Sequence, residues 1–209
     1  MDDKKRRNFM TADFNSSKTK ENLMRAFSGE CQARMRYAFA KEKADAAKLF
    51  VIGAVFEFTG AQEKEHAGIF LNHLRDAEGQ NISIDGAYPV TETDSVIKLL
   101  ESAYHNETEE ADRVYRAFGD TAHEEGFDSV AASFYKIAEI EKSHAERFLL
   151  FSELMKKNRL FISDISCEWM CLNCGHIFSG TEAPEECPVC RHDKGFFIRL
   201  TLAPYTGKI

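Results

Sequence analysis

The chain contains 209 residues, of which 44% are hydrophobic and 29% are charged, and its formal net charge at pH 7 is -7. A chain of this length and composition is expected to form one globular domain of ordinary size and a small second domain. The net negative charge argues against nucleic acid as a main partner, and the lack of any run of ~20 apolar residues argues against a membrane span.

Residues 1–17 are expected to form a flexible N-terminal tail. They contain a short basic run from Lys4 to Arg7, which is most simply a solvated part of that tail. The apolar core of a secretory signal does not occur in this stretch. Together with the cysteine pattern described below, this predicts an intracellular, cytoplasmic protein.

Residues 18–158 show helical periodicity and are predicted to form two helical hairpins. The first hairpin is expected to turn near Ala46 and the second near Glu124, with Gly126 ending the third helix. Between the hairpins, residues 79–93 have the composition of a loop. Because about fifteen residues can extend ~50 Å, this loop can run the length of a four-helix bundle as one long crossover.

Both hairpins carry the same pattern of charged residues. A Glu-x-x-His pair occurs twice, 78 residues apart, and a single glutamate precedes the two pairs by 33 and 34 residues. With one further glutamate on the third helix, the set is Glu30, Glu63, His66, Glu107, Glu110, Glu141 and His144. All seven lie on heptad stripes that are mostly apolar, although the stripe of the first helix is less regular, and on the third helix the stripe continues through Val114 and Ala117. These carboxylates and imidazoles are therefore predicted to point into the bundle.

Five carboxylates in one buried layer need cations beside them, because burying even one isolated carboxylate costs several kcal/mol. The nearest basic residue is Arg34, and one guanidinium cannot neutralise all five. Two divalent metal ions can, and oxygen-rich ligands with one imidazole per ion suit iron or manganese better than structural zinc. The pattern matches the established ligand set of ferritin-like di-metal carboxylate bundles, so the site is identified by that match.

The helical periodicity stops after a predicted linker at residues 159–166. The remaining residues, 167–209, are too few to bury a self-sufficient core. They contain two Cys-x-x-Cys pairs, formed by Cys171, Cys174, Cys187 and Cys190. In a reducing compartment this spacing predicts a four-thiolate metal site before it predicts disulfides. The spacing alone favours a zinc ribbon over a single-iron site.

The two remaining cysteines are not predicted to bind metal. Cys31 follows Glu30 on a helix and is expected to be a small buried side chain, and Cys167 is expected in a loop. Tyr37 and Tyr115 lie near the ligand layer, where they either hydrogen-bond its carboxylates or pack as ordinary core residues.

Nearly the whole chain resembles rubrerythrin. The matching segments are residues 26–37, residues 63–67, Glu107-x-x-Glu110, Glu141-x-x-His144 and the rubredoxin-like ending from Cys171 to Cys190. The resemblance implies a mainly α fold, in which a ferritin-like di-iron four-helix bundle at 18–158 is followed by a small rubredoxin-like four-cysteine domain at 167–209. It also implies a homodimeric peroxide reductase that acts in oxidative-stress defence.

The resemblance further implies the role of each ligand. Glu63 and Glu141 would bridge the two irons. Glu30 would be a terminal ligand of one iron, while Glu107 and His144 would hold the other.

Two residues would share the last ligand position on the first iron, which would bind Glu110 when oxidised and His66 when reduced. The repeat supports this asymmetry, because the residue equivalent to Glu110 in the first hairpin is Ala33. Hydrogen peroxide would be reduced to water by two electrons from the two ferrous ions.

The resemblance implies that electrons return through one iron in the four-cysteine site, supplied by a reductase or a rubredoxin. This pairing favours iron over zinc there, although zinc can substitute. Two alternatives stay open. One is a ferroxidase or oxygen-reducing iron-handling protein of the ferritin-like class, and the other is a binding protein with a zinc ribbon and a structural bundle.

Overall fold

The computed structural model describes residues 12–204. Its helices are α1 (Lys18–Ala46), α2 (Phe50–His73), α3 (Val96–Glu109), α4 (Tyr115–Glu124) and α5 (Asp128–Lys156). A π-helical turn, Glu110–Val114, joins α3 to α4 without a break, so these two form the third long helix. The basic run from Lys4 to Arg7 lies outside the described residues. Within residues 12–204, no helix is both long enough and apolar enough to cross a membrane.

Three helices end in the same hydrogen-bonded motif. The second residue after each helix end has a positive φ, which is 59° at Lys48, 85° at Gly126 and 53° at Asn158. The next residue donates its N–H to the carbonyl five positions back, at 2.9, 2.8 and 2.7 Å respectively. This is the Schellman arrangement, which satisfies carbonyls that a helix end leaves unpaired. The predicted turns near Ala46 and Glu124 and the predicted role of Gly126 are confirmed.

The crossover between the hairpins runs beside α1. Near the start of α1, the Arg25 guanidinium lies 2.6 Å from the Asp85 carboxylate. Near its end, the Lys43 ammonium lies 2.5 Å from the Glu92 carboxylate. The eighteen residues of α1 between these contacts span ~27 Å at 1.5 Å per residue. The predicted long crossover is therefore present.

The described chain divides into two compact units. The first consists of residues up to 33, 62–90 and 105–145, and the second consists of 34–61, 91–104 and the residues from 146 onward. The first unit has one apolar core, formed by Leu23, Ala26, Phe70, Leu74, Tyr115, Ala122, Val130, Ala131, Phe134, Ile137 and Ala138. All seven predicted carboxylate and imidazole ligands belong to the first unit, and the four predicted thiolate ligands belong to the second.

The predicted apolar stripe of the third helix is wrong beyond Glu110. Val114 is only half-buried and Ala117 is exposed, whereas Ala111, Tyr115 and Gly119 are buried. The π-helical turn explains the difference, because its hydrogen bonds close over one more residue than those of an α-helix. The inward face therefore moves one position along the sequence.

The C-terminal part of the second unit is a three-stranded antiparallel sheet of β1 (Ile162–Cys171), β2 (Ile177–Glu182) and β3 (Phe197–Arg199), in the order β2-β1-β3. Its small core consists of Trp169, Cys171, Ala183, Cys187 and Phe197. The Trp169 indole is fully buried and donates its N–H to the Gly180 carbonyl at 3.0 Å. A fully buried indole with its one donor satisfied anchors a core that is otherwise very small.

Two predicted segment limits fall inside ordered structure. β1 begins at Ile162, within the predicted linker at 159–166. The last part of the predicted tail contacts the bundle, since the Ala12 N–H bonds to the Glu125 carbonyl at 2.9 Å and Ser17 is buried. The limits of the domains themselves stay a prediction.

Candidate metal centres

The first candidate centre lies among α1, α2, the third helix and α5. Six of the seven predicted ligands have buried side chains, with exposed fractions of at most 4%: Glu30, Glu63, His66, Glu107, Glu141 and His144. Each lies on the inward stripe of its helix, so the helical period alone aims them at one place. The seventh, Glu110, is half-buried and begins the π-helical turn.

Among the described residues, the buried ligands form two groups of four. One group is Glu30, Glu63, His66 and Glu141, and the other is Glu63, Glu107, Glu141 and His144. In each group, one ligand atom from every member lies within 4.8 Å of the others. Glu63 and Glu141 belong to both groups, so the centre has two neighbouring ion positions with two shared carboxylates. Glu110 belongs to neither group.

The two imidazoles approach the shared carboxylates in the same way. His66 Nδ1 lies 2.8 Å from one Glu141 oxygen and 3.1 Å from one Glu63 oxygen. His144 Nδ1 lies 2.7 and 3.0 Å from the other oxygens of the same two residues. The rings are stacked with centroids 5.6 Å apart. The centre therefore repeats the internal symmetry of the two hairpins.

The donor atoms fit a pair of cations. Within residues 12–204, Glu30 Oε2, Glu63 Oε1, both Glu141 oxygens and His144 Nδ1 are buried and have no hydrogen-bond partner. Buried polar atoms are nearly always satisfied, so a cluster of such atoms needs another partner. These atoms point toward one another, and His144 Nδ1 lies 2.7 Å from a Glu141 oxygen. Carboxylate oxygens with one imidazole nitrogen per ion position are suitable ligands for iron.

Electrostatics show why the layer needs cations. Burial, together with the neighbouring charges of Glu141 and Glu63, raises the pKa of Glu30 well above its usual value. Burial alone would lower the pKa of His66, but the neighbouring carboxylates of Glu141 and Glu63 raise it to about 9. The pKa of His144 rises to about 11 for the same reasons, with Glu107 as the largest raising partner. Without metal, protons on the imidazoles offset part of the negative charge, and metal binding displaces such protons.

Two neighbouring side chains orient ligands. The Tyr115 hydroxyl donates to Glu30 Oε1 at 2.6 Å, which confirms one of the two roles predicted for this tyrosine. His144 Nε2 lies 3.1 Å from Gln62 Oε1. If His144 Nδ1 binds a metal, its proton is on Nε2 and is donated to Gln62, which fixes the tautomer and the plane of the ring.

The contribution of Gln62 was not predicted from the sequence. It directly precedes Glu63, but no periodicity distinguishes it from the exposed polar residues beside it. Tyr37, the other tyrosine of interest, packs its ring against Phe148 and Phe56, with centroids 5.0 and 5.8 Å away.

The place of Glu110 differs from that of His66. His66 belongs to a group of converging ligands, whereas Glu110 belongs to neither group. The negative charge of Glu110 contributes to raising the pKa of both Glu30 and Glu107. The exchange of His66 and Glu110 on one iron stays a prediction.

The second candidate centre is built from two equivalent loops that hold the four cysteines. In the first loop, the Cys171 N–H bonds to the His176 carbonyl at 2.9 Å and the Gly175 N–H bonds to the Cys171 carbonyl at 2.8 Å. The second loop repeats this, with 2.9 Å for both the Cys187–His192 and the Arg191–Cys187 bonds. The turn positions have φ values of 77° at Gly175 and 63° at Arg191.

The sulfur atoms fit a tetrahedral ion. The Sγ atoms of Cys171 and Cys190 lie 3.7 Å apart, as do those of Cys174 and Cys187. Four sulfurs at ~2.3 Å from a central ion would be ~3.8 Å from one another. Burial raises the pKa of the Cys190 thiol, but the backbone amide of His192 and neighbouring groups outweigh this and lower it to about 6. Amides that point at thiolates also influence the redox potential of a bound iron.

The four-cysteine part contacts the turn between α1 and α2 within the second unit. The Phe196 ring stacks on Phe50 with centroids 4.1 Å apart, and the Lys48 ammonium lies 2.9 Å from the Asp193 carboxylate. A side-chain carbon at Gly195 would overlap the Lys48 carbonyl oxygen. Only glycine therefore permits this close approach.

Two expectations for the other cysteines are wrong. Cys31 is exposed, because it lies one residue past the inward-facing Glu30 and so points away from the core. Cys167 lies in β1, paired with Gly180, and not in a loop. It does not belong to the four-cysteine group.

Comparisons with known proteins agree with both centres. The family model described as rubrerythrin matches residues 21–152, and that described as the rubrerythrin rubredoxin-like domain matches residues 169–198. A rubrerythrin of Clostridium perfringens is 40% identical over 182 residues, which are 87% of this chain and 93% of that protein. A rubrerythrin of Nitratidesulfovibrio vulgaris is 37% identical over 188 residues, covering 88% and 95%.

Solved structures show the same architecture. Nigerythrin in its fully reduced, all-ferrous state is 29% identical, with a TM-score of 0.59, and the match covers 92% of this chain and 93% of that one. A Desulfovibrio desulfuricans bacterioferritin has a TM-score of 0.61 at 22% identity, covering 68% and 82%. The latter shows the fold alone. With the converging ligands, these matches establish a ferritin-like bundle with a di-iron carboxylate site, followed by a rubredoxin-like four-cysteine iron site.

Proposed function

Since the chain belongs to the rubrerythrin family, we propose that this oxidoreductase is a non-haem di-iron peroxidase that reduces hydrogen peroxide to water. The observation that carries the proposal is the pair of buried four-ligand groups that share Glu63 and Glu141. Two ions held side by side can act together on the two oxygen atoms of one peroxide.

The proposed ligand roles follow the two groups. Glu63 and Glu141 would bridge the ions, because they are the residues common to both groups. Glu30 would be terminal on one ion, and Glu107 and His144 would complete the other. His66 and Glu110 would exchange on the first ion as its oxidation state changes, as the family resemblance implies; His66 belongs to the first group, and Glu110 lies outside both.

The iron pair would supply the two electrons that cleavage of the peroxide O–O bond requires, becoming ferric from ferrous. The side chains of the protein balance the charge, exclude water and orient the ligands. The carboxylates balance the ionic charge, and their burial excludes bulk water from the site. Gln62 keeps His144 Nδ1 directed at its ion. The Tyr115 hydroxyl, bonded to Glu30, would hold a proton beside a ligand of the first ion position.

We propose that the iron in the four-cysteine site passes electrons back to the di-iron site. A reductase or a rubredoxin would in turn reduce the four-cysteine iron. Family membership and the sulfur spacing support this assignment. A homodimer, in which this iron serves the di-iron site of the partner subunit, completes the proposal. The cysteine usage is typical of a reducing compartment, so the proposed setting is oxidative-stress defence in the cytoplasm.

The test is anaerobic. Iron-loaded, fully reduced protein is mixed with hydrogen peroxide, and peroxide loss and di-iron absorption are followed together. We expect one peroxide consumed for each di-iron centre oxidised, and faster oxidation by peroxide than by an equal concentration of oxygen. Preferential oxidation by oxygen would overturn the proposal in favour of a ferroxidase. Zinc in both sites of protein made with iron available would overturn it in favour of a binding protein.

A further inference from the structure

A cavity of about 290 Å³ lies beside the di-iron centre, within the first unit. It opens to solvent on one side and is lined by the first part of α1, the crossover segment Gly86–Pro89 and the π-helical turn. Glu110 and Tyr115 form part of its wall. No step of the proposed peroxide reaction uses a space of this size.

The cavity adjoins the metal ligands directly. Tyr115 lines it and also donates its hydroxyl proton to Glu30 at 2.6 Å. Glu110 lines it too, and its charge acts on both Glu30 and Glu107. Tyr115 therefore connects the cavity directly to a ligand of the first ion position.

Its size exceeds the needs of hydrogen peroxide. A single water molecule needs only ~10–15 Å³ of such space, and an apolar cavity of about 150 Å³ is enough to bind benzene. At about 290 Å³, this cavity approaches the lower limit of ordinary small-molecule sites. It can hold an organic group in addition to a peroxide group.

The lining selects an uncharged occupant. Its two cations are already paired, Arg25 with Asp85 at 2.6 Å and with Glu21 at 3.2 Å, and Arg113 with Glu109 at 2.7 Å. No guanidinium is left to attract an anion in preference to a neutral molecule. Much of the remaining wall is apolar or aromatic, formed by Ala26, Ala87, Tyr88, Pro89, Val114 and Phe118.

The geometry points to a second substrate class, neutral organic hydroperoxides, whose organic group occupies this cavity while the peroxide group faces Tyr115 and Glu110. The reaction rests on the proposed function and uses the same electrons. The O–O bond of ROOH breaks, two ferrous ions become ferric, and two protons are taken up. The oxygen bonded to carbon leaves as the alcohol ROH, and the other oxygen leaves as water.

The crossover segment sets the size limit of the organic group. The Tyr88 hydroxyl bonds to the Arg25 carbonyl at 3.2 Å, which holds the segment against α1. Its ring lies 3.8 Å from the position of a side-chain carbon at Gly29. Ala87, the neighbour of Tyr88, is exposed and lies at the rim, so a large side chain there would fill the entrance with little effect on folding.

The experiment compares Ala87→Trp with Val90→Trp as a matched control on the same segment. Val90 is 93% exposed and does not line the cavity. The kcat/KM values for cumene hydroperoxide and hydrogen peroxide are measured for each protein. We expect Ala87→Trp to lower the kcat/KM for cumene hydroperoxide relative to that for hydrogen peroxide at least about tenfold. Val90→Trp should leave this ratio unchanged.

A binding measurement separates this inference from the proposed function. Calorimetry with 2-phenyl-2-propanol, the unreactive alcohol product, reports occupancy of the cavity without turnover. We expect binding to the parent and to Val90→Trp, and weaker binding to Ala87→Trp. An unchanged ratio of rates, or no alcohol binding to the parent, would overturn the inference. If the parent binds the alcohol but does not consume hydrogen peroxide, the proposed function fails and the cavity assignment stands.

Discussion

The two metal centres are built in opposite ways. The carboxylate centre draws buried ligands from positions 30 to 144 on separate helices, and much of its donor set has no hydrogen bond among the described residues. The four-cysteine centre uses two local loops within residues 171–190, and backbone hydrogen bonds shape both loops. The first centre therefore depends on the whole bundle and on its metals, whereas the second depends mainly on local backbone geometry. Substitutions should affect the two centres independently.

Removal of a shared carboxylate should have the largest effect. Glu63→Ala or Glu141→Ala takes a ligand from both ion positions, so we expect loss of both metals and of peroxide turnover by more than about 100-fold. The four-cysteine absorption should persist. Metal analysis and anaerobic peroxide assays measure this, with the exposed neighbour Glu65→Ala as the control. Normal turnover in either ligand variant would remove this centre from the mechanism.

Loss of one thiolate should have the reverse effect. Cys174→Ser should leave the carboxylate centre loaded, because its ligands share no residue with the cysteine loops. Turnover with an external reductase should stop, while a single oxidation of chemically reduced protein by peroxide should proceed. Cys167→Ser, outside the four-cysteine group, serves as the control. Unimpaired reductase-driven turnover in Cys174→Ser would show that this iron is not the relay.

The Gln62 contact offers a finer test of how the first centre is held. Gln62→Leu removes the acceptor for His144 Nε2 and should weaken binding of the second metal about 10–100-fold. Competition with a chelator measures the affinity of each metal. Gln80→Leu, an exposed glutamine outside the site, should change nothing. An affinity equal to that of the parent would mean that His144 needs no such support.

A change at the contact between the cysteine loops and the α1–α2 turn should have the smallest effect on either centre. Gly195→Ala introduces a carbon that collides with the Lys48 carbonyl oxygen, so we expect destabilisation by about 1–3 kcal/mol. The four-cysteine spectrum should be unchanged. Thermal unfolding measures the cost, and Gly68→Ala, which meets nothing within 4 Å, is the control. Equal stability of the two variants would contradict the close approach at Gly195.

Most of the helical architecture could be predicted, because the turns and the inward stripes follow from local chemistry. The stripe of α5, from Val130 through His144 to Phe151, is buried as the heptad predicts. The metal centre itself was predictable because carboxylates that recur at matched intervals on apolar stripes must be neutralised by cations. Glycine signalled the helix end at Gly126, but the same conformation at Lys48 has no such signal.

The predictions from sequence that were wrong failed for physical reasons. The stripe beyond Glu110 shifted because a π-helical turn arises from tertiary packing and carries no sequence signature comparable to a proline or a cap. The orienting role of Gln62 depends on where a ring nitrogen lies in three dimensions. The burial expected for Cys31 rested on residue type, and its angular position on α1 decided otherwise.

The extra residue in the π-helical turn makes the first centre sensitive to the length of the chain as well as to its composition. Deleting one residue between Glu110 and Val114 would let the third helix close as a regular α-helix. The rest of the helix would keep its orientation, because the turn absorbs the extra residue and the inward face would move back by one position. One more residue in the same segment would instead rotate everything on one side by ~100° relative to the other. Tyr115 could then no longer reach Glu30 while Glu107 kept its place, although every ligand was still encoded. A single-codon insertion there should therefore be as damaging as the loss of a ligand.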